Sequence, residues 1–190
     1  MKTVQIRNIT IGEGRPKICV PVVGQTEEDI LREAAGLASD ILKKGYLEEI
    51  LPAVRKAAGD TPLLFTFRTA KEGGEKEIDA KTYKKLNLSL AASGFVDLID
   101  VELFSGDELV KELIREAHSH GVKVIASNHD FHKTPSKEEL IHRLRLMQDF
   151  DADRHANLPP GRSHAPKCHS GNGRNLRRPP DHYYVHVRNR

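Results

Sequence analysis

The chain has no tryptophan, only two cysteines and two methionines, and 5% aromatic residues. Cys19 stands in an apolar run and Cys168 in a basic stretch, so neither a disulfide framework nor a spaced zinc motif is present, and both read as free thiols. No apolar run approaches the roughly 20 residues of a membrane span, and Met1-Lys2-Thr3-Val4 opens without the apolar block of a secretion signal. No membrane partner is expected, and cytoplasm is the expected location.

Acids are nearly missing from residues 154–190, where eight Lys or Arg stand against Asp181 alone. That segment is therefore +7 in a chain of net charge +3, which leaves residues 1–153 at −4. So sharp a shift predicts a boundary near Asp153: residues 1–153 as the folded part, 154–190 as a basic, disordered tail. The tail shows neither helical nor strand periodicity. His164, Cys168 and His169 lack a paired Cys-x-x-Cys, and only Tyr183-Tyr184 could serve as an aromatic platform, so zinc and nucleic acid are both poor readings of it.

What is present is a pattern. At 190 residues and 38% hydrophobic content the chain suffices for one domain with a core. Val4, Ile6, Ile9 and Ile11 alternate as in a small hairpin, and Lys17–Gly24 is a continuous apolar run fit for a strand buried on both faces. A helix is expected from Thr26 through Ala38, a stunted strand at Ser39–Leu42, and a helix over Tyr46–Ala58. Strands are expected at Thr61–Arg68, Val96–Phe104 and Val122–Ser127, with helices over Asp79–Ser93, from Gly106-Asp107 to His120, and from Thr134 to Phe150. Strands alternating with helices of about a dozen residues predict an α/β fold with a parallel sheet or barrel.

In such folds chemistry gathers where strands hand over to loops. Val122–Pro135 delivers Asn128-His129-Asp130 at such a point, and His129 is the candidate general acid/base because imidazole titrates near neutrality. A loop histidine satisfied by backbone is the other reading. His129, Asp130 and His132 lack a third spaced ligand, so no metal is expected. Arg68 ends its strand, where a guanidinium suits a substrate carboxylate, and Glu72 lies four residues on, where it could orient a histidine; a solvated charged loop is the competing reading. Asp97, Asp100 and Glu102 on one strand are expected to pair with a basic residue from a neighbour.

Four motifs then occur in order. Phe65-Thr-Phe-Arg68-Thr-Ala-Lys-Glu72-Gly-Gly-Glu75, Val96-Asp-Leu-Ile-Asp-Val-Glu-Leu-Phe104, Ser127-Asn-His129-Asp-Phe-His-Lys-Thr-Pro135 and Met147-Gln-Asp-Phe-Asp-Ala-Asp153 resemble the type I 3-dehydroquinate dehydratases of the shikimate pathway. The resemblance implies a (β/α)8 barrel of TIM type, a homodimer, no cofactor, and dehydration of the small molecule 3-dehydroquinate to 3-dehydroshikimate. It also implies that a lysine forms a Schiff base with the substrate ketone, so that the iminium draws electrons from the adjacent carbanion. By motif, His129 is the acid/base, Glu72 orients it and Arg68 binds substrate; His132 takes no catalytic role.

Two departures stand out. The family's second strand continues into a substrate-contacting Glu-Trp-Arg segment, whereas here Asp40-Ile41-Leu42 runs into Lys43-Lys44-Gly45. The Schiff-base lysine is expected a few residues after Asp153, where Arg154-His155-Ala156-Asn157 stands, and Lys167 has no family-like surroundings. No Schiff-base lysine is identified. Asp181-His-Tyr-Tyr-Val-His-Val187 can be encoded so that the frame one nucleotide later reads Ile-Ile-Thr-Met-Ser-Met, the family's next-to-last strand, and Leu176–Pro180 likewise gives Tyr-Ala-Asp-Arg-Pro. Residues 154–190 are therefore expected to be an out-of-frame copy of the last barrel strands, on an incomplete barrel of about five. The alternative is an inactive fragment whose basic tail binds acidic partners.

Overall fold

The computed structural model describes residues 3–14, 46–74 and 77–158, with backbone alone at 46–50, 157 and 158. The strand expected at Lys17–Gly24, the helix from Thr26, the stunted strand at Ser39–Leu42, both cysteines and Lys167 lie outside the described residues.

The chain begins with an antiparallel hairpin, β1 (Val4–Ile6) and β2 (Ile9–Ile11). Helix α1 (Tyr46–Ala58) precedes β3 (Leu64–Phe65), α2 (Ala80–Ala92), β4 (Leu98–Glu102), α3 (Asp107–Ser119), β5 (Lys123–His129), α4 (Lys137–Asp149) and β6 (Arg154–Leu158). Strands β3 to β6 form one parallel sheet in sequence order, each paired with the next. Monotonic order without reversal is the progression of a barrel wall rather than of a doubly wound sheet.

Alternation along the strands separates two cores. The outer faces of the strands (Phe65, Phe67, Ile99, Val101, Val124, Ala126) pack against the helices through Leu90, Val110, Leu113, Ala117 and Met147. The inner faces start with Leu64 and Leu98, which pack against Val4 and Ile6 of the hairpin with Ile11 and Ile125 alongside. Burying Val4 and Ile6 stabilises this closure by about 1.5–3 kcal/mol each. The hairpin is further tied by Arg7, whose Nε meets Asp97 Oδ1 at 2.6 Å, while Arg55 meets the other oxygen of Asp97 at 2.7 Å. The hairpin thus seals the N-terminal end of the inner face and leaves the C-terminal end for the site.

Three expectations need correction. β5 runs to His129 rather than stopping at Ser127, so Asn128 and His129 sit on rigid strand and alternate between its faces. α4 starts at Lys137, capped by the Ser136 hydroxyl accepting from the Glu139 N–H, rather than at Thr134; Pro135 lies before the cap. Most consequentially, Arg154–Leu158 is not aperiodic tail but β6, paired in parallel register with β5 from Ile125↔Arg154 to His129↔Leu158. A short strand at the end of the described sheet needs no hydrophobic signature of its own, because its neighbour supplies the hydrogen-bond ladder.

Candidate active site

The inner face carries polar residues in layers above the apolar floor. In register Asp100 stands beside Ile125 and Glu102 beside Ser127, and His129 ends β5. Arg68 is buried and gripped from several sides: Nη1 donates to Glu102 Oε1 at 3.0 Å, Ser127 Oγ at 3.0 Å and Glu72 Oε2 at 3.4 Å, and Nη2 donates to Asp100 Oδ2 at 3.0 Å. Burial opposes its charge, but Asp100, Glu102 and Glu72 outweigh burial and hold the guanidinium ionised. The paired-acid expectation for Asp100 and Glu102 is met by Arg68 itself, whereas Asp97 pairs not with a neighbouring strand but with Arg7 of the hairpin turn and Arg55 of α1.

Glu102 also accepts from the Thr69 N–H at 2.9 Å and hydroxyl at 2.7 Å. Its pKa is raised, by desolvation first, with Arg68 opposing and Glu72 adding repulsion. Three carboxylates around one guanidinium make the inner end of the site acidic, a field that favours a cationic intermediate.

Glu72 is held by a tight turn. Ala70–Glu72 forms one 3-10 turn, closed by Gly73 at φ 91 and by the Gly74 N–H donating to the Thr69 carbonyl at 2.8 Å. A Cβ on Gly74 would come within 1.9 Å of the Arg68 carbonyl oxygen, so Gly74 is demanded by close approach of backbone and Gly73 by its positive φ. Glu72 is buried, and Oε2 takes the His129 backbone N–H at 3.1 Å and lies 3.0 Å from His129 Nδ1. The carboxylate can only accept from a neutral ring at Nδ1, which leaves Nε2 as the free base. His129 stacks on Phe131, rings 6.4 Å apart and 13° from parallel, and both line a cavity of about 610 Å³ with Lys71, Phe104 and Arg143.

The three residues singled out from sequence, Arg68, Glu72 and His129, are therefore brought together in one cluster. Arg68 faces carboxylates rather than the cavity. His132 lines the cavity, and its N–H is held by Asp130 Oδ1 at 3.1 Å. Sequence reasoning assigned no role to Ser127, Asn128 or Arg143, which complete the cluster. The signal for Arg143 was its spacing: four residues before Met147 and seven before Phe150, it sits on the buried stripe of α4. Among the described residues no group of three His, Cys, Asp or Glu is arranged to hold a metal ion, and no helix is long and apolar enough to cross a membrane.

A family model described as Type I 3-dehydroquinase matches residues 18–155. This chain belongs to the type I 3-dehydroquinase family. It is 49% identical over 166 residues to the 3-dehydroquinate dehydratase of Clostridioides difficile (strain 630), covering 80% of this chain and 65% of that protein. It is 45% identical over 180 residues to that of Clostridium novyi (strain NT), covering 86% and 71%. The C. difficile type I crystal structure with covalently modified comenic acid superposes with a TM-score of 0.75 at 45% identity, over 83% of this chain and 69% of that one. The Enterococcus faecalis enzyme gives 0.76 at 40% identity, over 81% and 70%. The fold is thus the (β/α) barrel of this family, present here in part, and the chain spans about 65% of the length of the C. difficile relative.

The C. difficile alignment also bears on what is missing. Its 166 positions take up 80% of 190 residues, about 152, so about 14 positions of the relative have no counterpart here. At the other end of the family match, β6 register sets Ala156 beside Ser127. Ser127 Oγ donates to Asp100 Oδ1 at 2.6 Å and accepts from Arg68, so it points to the inner face, and Ala156 occupies the neighbouring inner position.

Proposed function

We propose that this chain carries the acid–base half of a 3-dehydroquinate dehydratase site and lacks its nucleophile. The observation that carries the reading is the Glu72–His129 pair, half-buried at the C-terminal end of a partial barrel beside the acidic cluster of Arg68, Asp100 and Glu102. In the type I reaction a lysine amine adds to the substrate ketone and water leaves to give an iminium. His129 Nε2 then takes the proton next to it, the electron pair is held by the iminium, and the protonated imidazole returns a proton to the departing hydroxyl, which leaves as water. Glu72 keeps the ring in the tautomer this needs and stabilises its charged form. Arg68 acts on substrate through the carboxylates it orders.

With Ala156 beside Ser127 on β6, that inner position holds no lysine for covalent capture, and turnover by this chain is expected to be negligible. The missing segment after Leu42 removes substrate contacts as well. The same reading places the chain in the cytoplasm, has two copies associate, and takes residues 154–190 as the product of a shifted reading frame. Binding tests the first part directly. Adding 3-dehydroquinate to the 15N-labelled chain should move the His129 ring signals and leave those of His118, which is bonded to Asp153 at 2.7 Å, in place. Unmoved His129 signals at saturating ligand would overturn the assignment.

A further inference from the structure

Behind the acid–base pair runs a second line of hydrogen bonds that ends on α4. Asn128 alternates to the outer face of β5, opposite to His129, and is buried. Its Nδ2 donates to Glu72 Oε1 at 3.2 Å, while its Oδ1 accepts from Arg143 Nη1. Arg143 is itself pinned: Nε donates to Glu139 Oε1 at 2.6 Å, Nη1 lies 3.9 Å from Asp130, and its guanidinium lies over the Phe104 ring at 5.1 Å. Each oxygen of Glu72 thus has a distinct task, Oε1 for Asn128 and Oε2 for His129.

The direction of the Asn128 amide is decided by its neighbours. Oδ1 must face the guanidinium, which only donates, so the NH2 group must face the carboxylate, which only accepts. Reversing the amide would set donor against donor at Arg143 and acceptor against acceptor at Glu72. Without Arg143 that orientation is held by one contact instead of two, and Glu72 keeps its fixed partners, the His129 N–H and Arg68, on Oε2 alone.

We propose that Arg143 is a positioning residue for the acid–base pair: acting through Asn128, it fixes the Glu72 carboxylate and thereby holds His129 in its Nδ1–H tautomer. This rests on His129 being the proton-transferring group, but its test reads the ring and not turnover. The full-length chain is labelled with 15N, His129 is assigned by the signal lost in His129→Gln, and the tautomer ratio is measured where the ring is neutral. In the wild type the Nδ1–H form dominates. Arg143→Met keeps much of the packing over Phe104 but has no donor, and should lower the Nδ1–H to Nε2–H ratio about tenfold, the scale of one hydrogen bond to a charged group.

Asn128→Leu should lower the ratio by a similar factor, and the double variant no further than either single one, because the two residues form one line. Arg143→Lys, which keeps the charge, should fall between. His118 is held by Asp153 at the opposite end of the sheet and serves as the internal control; its signal stays put in every variant. An unchanged ratio in Arg143→Met with His118 intact would overturn the proposal, as would falls that add in the double variant. If Arg143→Met does not fold, an unchanged ratio in Asn128→Leu overturns it alone. Failure of 3-dehydroquinate to bind leaves these ratios untouched, so the two failures are separable.

Discussion

Arg68 is the residue on which the inner face depends, because it pairs with Asp100 and Glu102 together. Replacing it by Met leaves buried carboxylates without a cation, which costs far more than the net worth of the pairs it removes. Urea denaturation of Arg68→Met should show a loss of about 3–5 kcal/mol; a loss under about 1 kcal/mol, the scale of an exposed pair, would contradict this picture. The residues of this cluster were partly legible in the sequence. Asp100 and Glu102 are two apart and so share a strand face, and Arg68 ends the neighbouring strand, which is enough to pair them. Asn128 and Arg143 were not legible, since their meeting depends on where α4 starts, and Thr134-Pro135 gave a false start ahead of the Ser136 cap.

At the scale of elements, β5, β6 and α3 are joined below the site by Asp153. Its carboxylate accepts the Val124 N–H at 3.0 Å, meets His118 Nε2 at 2.7 Å and lies 3.3 Å from Lys123 Nζ. Burial raises its pKa, but the Val124 N–H and His118 outweigh burial and leave it below the usual carboxylate value. A carboxyl with a lowered folded-state pKa binds its proton later than in the unfolded chain. Its contribution is therefore complete above the ordinary aspartate value of about 3.9 and is lost as pH falls through the folded value. Glu102 has the opposite sign: its raised pKa means that ionisation weakens the fold as pH rises from the ordinary glutamate range through its elevated one. Denaturation midpoints between about pH 5 and pH 2 should fall less steeply for Asp153→Asn than for the wild type. An identical slope would remove Asp153 from the account of acid stability. The joint explains why β6 escaped the sequence pattern: Arg154-His155-Ala156 has no strand signature, and its place is set by Asp153 anchoring its start and by the ladder of β5.

For the whole molecule, the decisive fact is an inner face that the described strands only partly enclose. Among them the parallel sheet ends at β3 and β6, and Phe104, Phe131, Ile141 and Leu144 are exposed large apolar side chains. Open strand edges and apolar patches invite association. The chain is expected to elute from size exclusion as associated species and to melt broadly in calorimetry; a sharp, two-state melt of a monomer would contradict that. The alternating strand and helix pattern made the fold class legible, and the ordered motifs made the family legible, because both rest on local spacing. What stayed hidden is where the order stops, since a strand held by its neighbour looks like tail in isolation. Sequencing the gene around codons 41–47 and 153–156 should show a frame change near the second; an uninterrupted frame without family-like continuation in the next frame would remove that origin for residues 154–190.

The claim that the site is an acid–base half without a nucleophile rests finally on Ala156, whose register beside Ser127 aims it at the acidic cluster. The most direct measurement is mass spectrometry of the chain after incubation with 3-dehydroquinate and borohydride, for the wild type and for Ala156→Lys side by side. Borohydride reduces an iminium to a stable amine, so each lysine that captures the ketone is recorded. The expected result is no substrate adduct on the wild type and one adduct, mapped to residue 156, on the variant. An adduct on any lysine of the wild type, or a folded variant that captures nothing, would contradict it.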